Sequence, residues 1–166
     1  WRPVWVAVII IIFDLYSLIK TVFLSFHVRA NWHRLQRHLA INWEEKLAAL
    51  KWSHLWQLVV VPSAGESADV IRESLDSIAA SRWPRERMMV VLALEDKGDR
   101  AHTMGEEMQK LYADTFGIFS VTYHPEGVPG EMRGKGSNET YAMREAQKIV
   151  DQRGIPYADI LVSSFD

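Results

Sequence analysis

The chain contains no cysteine. Disulfides and thiolate metal sites are therefore excluded, and a reducing compartment is compatible with the sequence. It has no excess of basic charge either: 19 Lys and Arg face 21 Asp and Glu, a formal net charge of -2. Nucleic-acid binding usually announces itself by a strongly basic balance, so no nucleic-acid partner is expected. No internal repeat and no low-complexity linker interrupts the 166 residues. That length suffices for one domain with a real core. The first residue is Trp1 rather than Met, already inside an apolar stretch, and the last is Asp166, directly after an apolar run. The expectation is a segment of a longer protein.

Long apolar runs, by contrast, are present. Residues 4–28 read VWVAVIIIIFDLYSLIKTVFLSFHV. A bilayer core of ~30 Å needs about 20 mostly apolar helical residues, so this run is long enough to span. A signal peptide would have a shorter apolar core and a small-residue cleavage site. Lys20 can reach an interface by snorkelling, but Asp14 lies near the middle. An acid there costs roughly 2.5–3.5 kcal/mol on insertion scales, so it is expected to face other helices. Residues 1–28 are read as a transmembrane helix, with a buried helix of a soluble protein as the bland alternative. Arg29, Arg34 and Arg37 follow the run and only Arg2 precedes it. The positive-inside rule then places everything after residue 28 in the cytoplasm, at a plasma or inner membrane.

Trp32, Leu35, Leu39, Trp43, Leu47 and Leu50 recur at three- and four-residue spacing, one face of a helix. Residues 29–57, with Trp52 and Trp56 at their end, are read as an amphipathic juxtamembrane helix. It either lies in the headgroup layer or packs on the domain that follows.

From residue 58 the pattern changes. LVVVP is a short β-rich run ended by Pro62. Ser67 is positioned to cap a helix carrying Ile71, Leu75, Ile78 and Ala79, which Trp83-Pro84 ends. MMVVLAL is a second buried strand, running into the acidic turn Glu95-Asp96. A second helix carries Met104, Met108, Leu111, Tyr112 and Phe116, with Gly117 as its stop. Residues 118–123 form a third strand. After a Gly- and Pro-rich loop, Ser137 opens a helix that Gly154 closes, and residues 160–164 form a fourth strand. This alternation predicts an α/β fold with a parallel sheet and helices on both faces. Ligands bind such sheets at the carboxyl ends of the strands. Residues 63–66, Glu95-Asp96, the loop 124–136 and Asp166 all fall there, so a site is expected on that edge.

Gly134-Lys135 before a helix suggests a phosphate loop. The full pattern fails, because Pro129 stands at the first glycine and Gly136 at the hydroxyl position. Lys135 can still meet a phosphate beside a helix N-terminus, or be plain solvated surface. Glu95 and Asp96 are either a solvated corner or acceptors for base and ribose N–H and O–H groups. His124 and Glu126 make only a slight case for a metal pair.

Together these pieces resemble the family-2 glycosyltransferases of the GT-A fold, especially the membrane-integral kind related to cellulose and hyaluronan synthases. LVVVPSAGES is similar to the family's opening strand and V-P-x-Y-N-E turn. ESLDSIAASRWPRERMMVVLALEDKGD is similar to its first helix, second strand and acidic turn. HPEGVPGEMRGKGSNETYAM is similar to its loop and K-x-x-N-x-A helix, and LVSSFD to the strand leading to D-x-D. The resemblance covers residues 58–166 and implies a mostly parallel, Rossmann-like sheet. It implies that Ser63, Ala64 and Glu66 border a uracil and ribose, and that Asp96, helped by Glu95, holds the base. Lys135 would lie near the sugar diphosphate with Asn138 bracing that helix start. Asp166 would be the first acid of D-x-D, beside a divalent Mg or Mn ion. The implied activity is metal-dependent transfer, with inversion, of a sugar from a nucleotide-sugar donor, expected to be UDP-linked, to a glycan or lipid acceptor. No catalytic base is expected within these residues, so the isolated segment is expected to be inactive. The alternative is a non-catalytic membrane scaffold that retains the fold. It is motivated by Ala64-Gly65 in place of Tyr-Asn and by Glu95 in place of the commoner Asp. A soluble nucleotide-binding enzyme of other chemistry is a third option, disfavoured by the apolar N-terminus.

Overall fold

The computed structural model describes residues 2–131 and 134–165. Its contacts divide the chain into two units, residues 1–51 and 52–166.

In the first unit, helix α1 runs unbroken from Pro3 to Leu39, with a proline in the first turn where its missing N–H costs nothing. None of its residues is buried, and by length and composition it is a candidate membrane span. The expected separate helix over 29–57 is not one element. Residues 29–39 continue α1, residues 40–42 break it, and a short helix α2, Trp43–Ala48, follows. Asn42 causes the restart: its side chain accepts from the Glu45 amide at 3.4 Å as an N-cap. Trp52 and Trp56 also fall outside that helix, in the second unit. Trp52 tilts against Trp83 at 5.3 Å between ring centroids, and Trp56 opens the first strand under the Arg87 guanidinium.

The second unit is an α/β domain. Its strands are β1, Trp56–Ser63, β2, Met88–Glu95, β3, Ile118–His124, and β4, Ile160–Ser164. All pair in parallel, in the order β3-β2-β1-β4. Between them lie α3, Ala68–Ala79, α4, Asp99–Tyr112, and α5, Lys135–Arg153. Side chains alternate across a strand, so β1 and β2 feed two cores. Val59, Val61, Val90 and Leu92 pack with Ile71, Leu75, Met108 and Tyr112 of α3 and α4. Leu58, Val60, Met89 and Val91 pack with Ala142, Ala146 and Val150 of α5. The continuous apolar reading of these strands is what burial on both faces demands. Each fully buried aliphatic side chain contributes about 1.5–3 kcal/mol.

Several boundaries differ from the sequence reading for local reasons. Ser67 is the residue before α3, but its side chain makes no capping bond among the described residues. α3 ends at Ala79, so Trp83-Pro84 lies in the turn beyond it. α4 ends at Tyr112, leaving Phe116 as a buried residue outside the helix. Gly117 is therefore not the helix stop. It donates its N–H to the Arg85 carbonyl at 2.7 Å, and a Cβ there would overlap the Glu86 carbonyl. α5 starts at Lys135, two residues before Ser137, and ends at Gly154 as expected. The Tyr112 hydroxyl joins α4 to α3 by donating to Asp76 Oδ1 at 2.7 Å. Burial, reinforced by Asp76, pushes that phenol up to about 12.

Candidate functional site

The strand order reverses direction between β1 and β4. From β1 the chain moves outward to β2 and β3 by way of α3 and α4 on one face, then returns across the other face by α5 to reach β4. Open α/β sheets hold ligands at the carboxyl ends of the strands on either side of such a reversal. The residues that end β1 are those of the turn 63–66.

That turn is built around one carboxylate. Glu66 Oε2 accepts from the Ser63 hydroxyl at 2.6 Å, the Ala64 amide at 2.7 Å and the Gly65 amide at 3.1 Å. The Ser63 hydroxyl is the main reason the Glu66 carboxyl sits below the usual glutamate range. Backbone N–H groups add to it, and partial burial works against it. Ser63 itself is buried and committed to Glu66. It therefore shapes the turn, and Ala64, Gly65 and Glu66 are the exposed residues of it.

The β2 turn is joined to the β1 turn by a residue to which the sequence reading gave no site role. Lys97 Nζ donates to the Ala64 carbonyl and lies 2.7 Å from Glu95 Oε2. A lysine directly after two acids was the available signal. Its bond to Ala64, 33 positions away, was not. Asp96 turns toward α4 instead. Its Oδ1 lies 3.0 Å from His102 Nε2, and the His102 ring stacks on Tyr123 at 4.2 Å. Gly105 makes room for that stack, because a Cβ there would overlap the Tyr123 hydroxyl. Burial, with Glu106 and Asp96 nearby, raises the Tyr123 phenol.

α5 brings Lys135 and Asn138 to the same edge. Gly134 precedes the helix, so the first-turn N–H groups and the positive end of the dipole lie beside Lys135. Lys135 Nζ lies 3.6 Å from Glu139 Oε1, which also accepts from the Ser164 hydroxyl at 2.6 Å. Glu139 thus ties the start of α5 to the end of β4. Asn138 is only 2% exposed, and its amide donates to the Ala93 carbonyl at 2.8 Å. It braces the helix against β2 and does not face solvent, while its Oδ1 has no hydrogen-bond partner among the described residues.

Two cavities open near this edge. The larger, about 770 Å³, is mainly apolar and runs between β1 and α3 from Trp83 and Met88 to Ser63, Glu66 and Phe165. The smaller, about 410 Å³, lies among Glu95, His124, the loop 125–128, Glu131, Gly134 and Ser137. His124 Nε2 and Glu131 Oε2 are 2.9 Å apart at its wall. The sequence-derived residues are therefore divided. Ser63 and Glu66 line one cavity and Glu95 the other. Ala64, Asp96, Lys135 and Asn138 line neither.

Asp166, the expected metal ligand, lies outside the described residues. Among the described residues no three acidic or histidine side chains gather as a ligand set. Glu66, Glu95 and Asp96 each already hold a donor or cation partner. No protein-family model, no curated protein and no solved structure matches the chain.

Proposed function

We propose that this chain is the donor-binding half of a membrane-anchored glycosyltransferase of the GT-A, family-2 type, taking a UDP-linked sugar as donor and a glycan or lipid as acceptor. One observation carries the reading. The Glu66 turn and the Glu95-Asp96 turn are linked through Lys97, and they share the carboxyl edge beside the strand-order reversal with the N-terminus of α5. Two cations and a helix N-terminus suit a diphosphate, and acidic turns suit the N–H and O–H groups of a base and ribose. In the reaction, an acceptor hydroxyl loses its proton to a base outside these residues. Its oxygen then attacks the anomeric carbon, and the bond to the departing UDP breaks with inversion. α1 would anchor the protein in a plasma or inner membrane with the α/β unit in the cytoplasm, where nucleotide sugars are made.

The rival reading is a non-catalytic scaffold. It is favoured by the internal pairing of Glu66 with Ser63, Glu95 with Lys97 and Asp96 with His102, which leaves fewer groups poised for a ligand. Calorimetry of the detergent-solubilised chain with UDP and uridine, with and without Mn²⁺, separates the two. The transferase reading expects saturable UDP binding that Lys135→Ala weakens about ten-fold, roughly the worth of one charge-assisted hydrogen bond. Uridine binding should change far less. Absence of UDP binding at millimolar concentration, in both metal conditions, would favour the scaffold.

A further inference from the structure

α1 is longer than a bilayer core requires. Its 37 residues extend about 55 Å at 1.5 Å per residue, against a core of ~30 Å. If residues 4–28 span, the last three turns project beyond the hydrocarbon, and those turns differ from the rest. No acid occurs between Asp14 and Glu44, while Arg29, Arg34, Arg37, His33 and His38 fall within ten positions. At 100° per residue these five spread over one half of the helix. Trp32, Leu35 and Leu39 fall within about 60° on the opposite side. All eight side chains are exposed. The apolar side continues past the break. Trp43 Nε1 donates to the His38 carbonyl at 3.0 Å, folding the indole of α2 back on the last turn of α1, and Leu47 lies one turn further on. Glu44 and Glu45 come only in the first turn of α2, where the helix dipole favours acids.

We infer that the elbow formed by residues 29–47 is a docking surface for anionic phospholipid headgroups of the leaflet facing the α/β unit. Charge complementarity selects this occupant. Three permanent cations, with no acid between Asp14 and Glu44 in the sequence, face away from an apolar Trp- and Leu-bearing stripe in the turns that leave the hydrocarbon. An arginine near an anionic leaflet gains about 1 kcal/mol, or roughly five-fold in local lipid preference. Trp32 and Trp43 suit the headgroup level, where an amphipathic indole meets both apolar and polar groups. The inference rests on α1 as a span.

Because the chain has no native cysteine, Ala49→Cys gives a unique label site after α2. The full chain, labelled there with a donor dye, is reconstituted in phosphatidylcholine nanodiscs containing a trace of acceptor-labelled phosphatidylglycerol or acceptor-labelled phosphatidylcholine. Energy transfer should report phosphatidylglycerol enriched at least five-fold around the label. The enrichment should fall to parity in R29Q/R34Q/R37Q and in 1 M salt, where screening acts within about 3 Å. The R29K/R34K/R37K variant, which keeps the charge, should retain it. Equal transfer to the two lipids, or enrichment that survives removal of the arginines, would overturn the lipid contact. Loss of enrichment in the lysine variant would show that guanidinium geometry and not charge holds the lipid, and would overturn the charge-based contact. Extraction of the chain from vesicles by alkaline carbonate would defeat the span itself, a result distinct from an inserted chain with no lipid preference.

Discussion

At the scale of single residues, the edge of the sheet is organised by carboxylates that are already held. Glu66 is the clearest case. Its carboxyl is depressed because the folded state donates hydrogen bonds to its charged form. A depressed acid stabilises the fold above its unfolded pKa, about 4.3 for glutamate, and that contribution disappears as the pH falls through the lower folded value. Ser63→Ala removes the main donor, the Ser63 hydroxyl. Carboxyl-carbon NMR should show the Glu66 midpoint rising toward the ordinary value. Denaturant unfolding at pH 7 should show a loss of at most about 1 kcal/mol, since Glu66 is exposed and water screens the bond. The difference between the two proteins should shrink below about pH 4. A midpoint that does not move would mean that the backbone N–H groups alone hold the carboxylate. Lys97 shows the limit of reading residues singly. Its place after two acids was visible, but its contact with the Ala64 carbonyl depends on two strand ends lying side by side.

At the scale of elements, the periodicity of the sequence located every strand and every long helix of the α/β unit to within a few residues. The boundaries it missed are those where a cap or close approach acts through space. Gly117 looks like a helix stop by residue type, yet it serves a backbone crossing with Glu86. Residues 32–50 keep one apolar stripe, so nothing in the period revealed the break that Asn42 makes. α5 offers the sharpest test. Asn138 fastens its first turn to β2, and truncation would remove that bond from a buried setting. Asn138→Ala should destabilise the α/β unit by about 1–3 kcal/mol in chemical denaturation. Asn138→Asp, which buries a charge beside an acceptor, should cost more. Wild-type stability in the alanine variant would show that the brace is dispensable.

At the scale of the whole molecule, stability should be graded across the sheet. β2 lies between β1 and β3 and is buried along most of its length. β4 sits at the edge, with Leu161 45% and Val162 54% exposed. Hydrogen exchange should find the amides of 59–61 and 90–92 opening only with global unfolding, and those of 161–163 opening earlier through local events. Uniform protection across all four strands would contradict that gradient. Phe165, the residue after β4, lines the mainly apolar cavity between β1 and α3.

Sequence by itself determined the alternation of strand and helix, the two-sided burial of β1 and β2, the long apolar N-terminal helix and the placing of polar residues after strands. Those features follow from local period and composition, which a chain carries along its length. Tertiary structure alone decided that the order is β3-β2-β1-β4, that Ser63 is a buried support of its turn, and that Lys97 and His102 occupy the carboxylates beside it. Each of these depends on which distant segments become neighbours, and pairwise contact in space leaves no periodic trace in the order of residues.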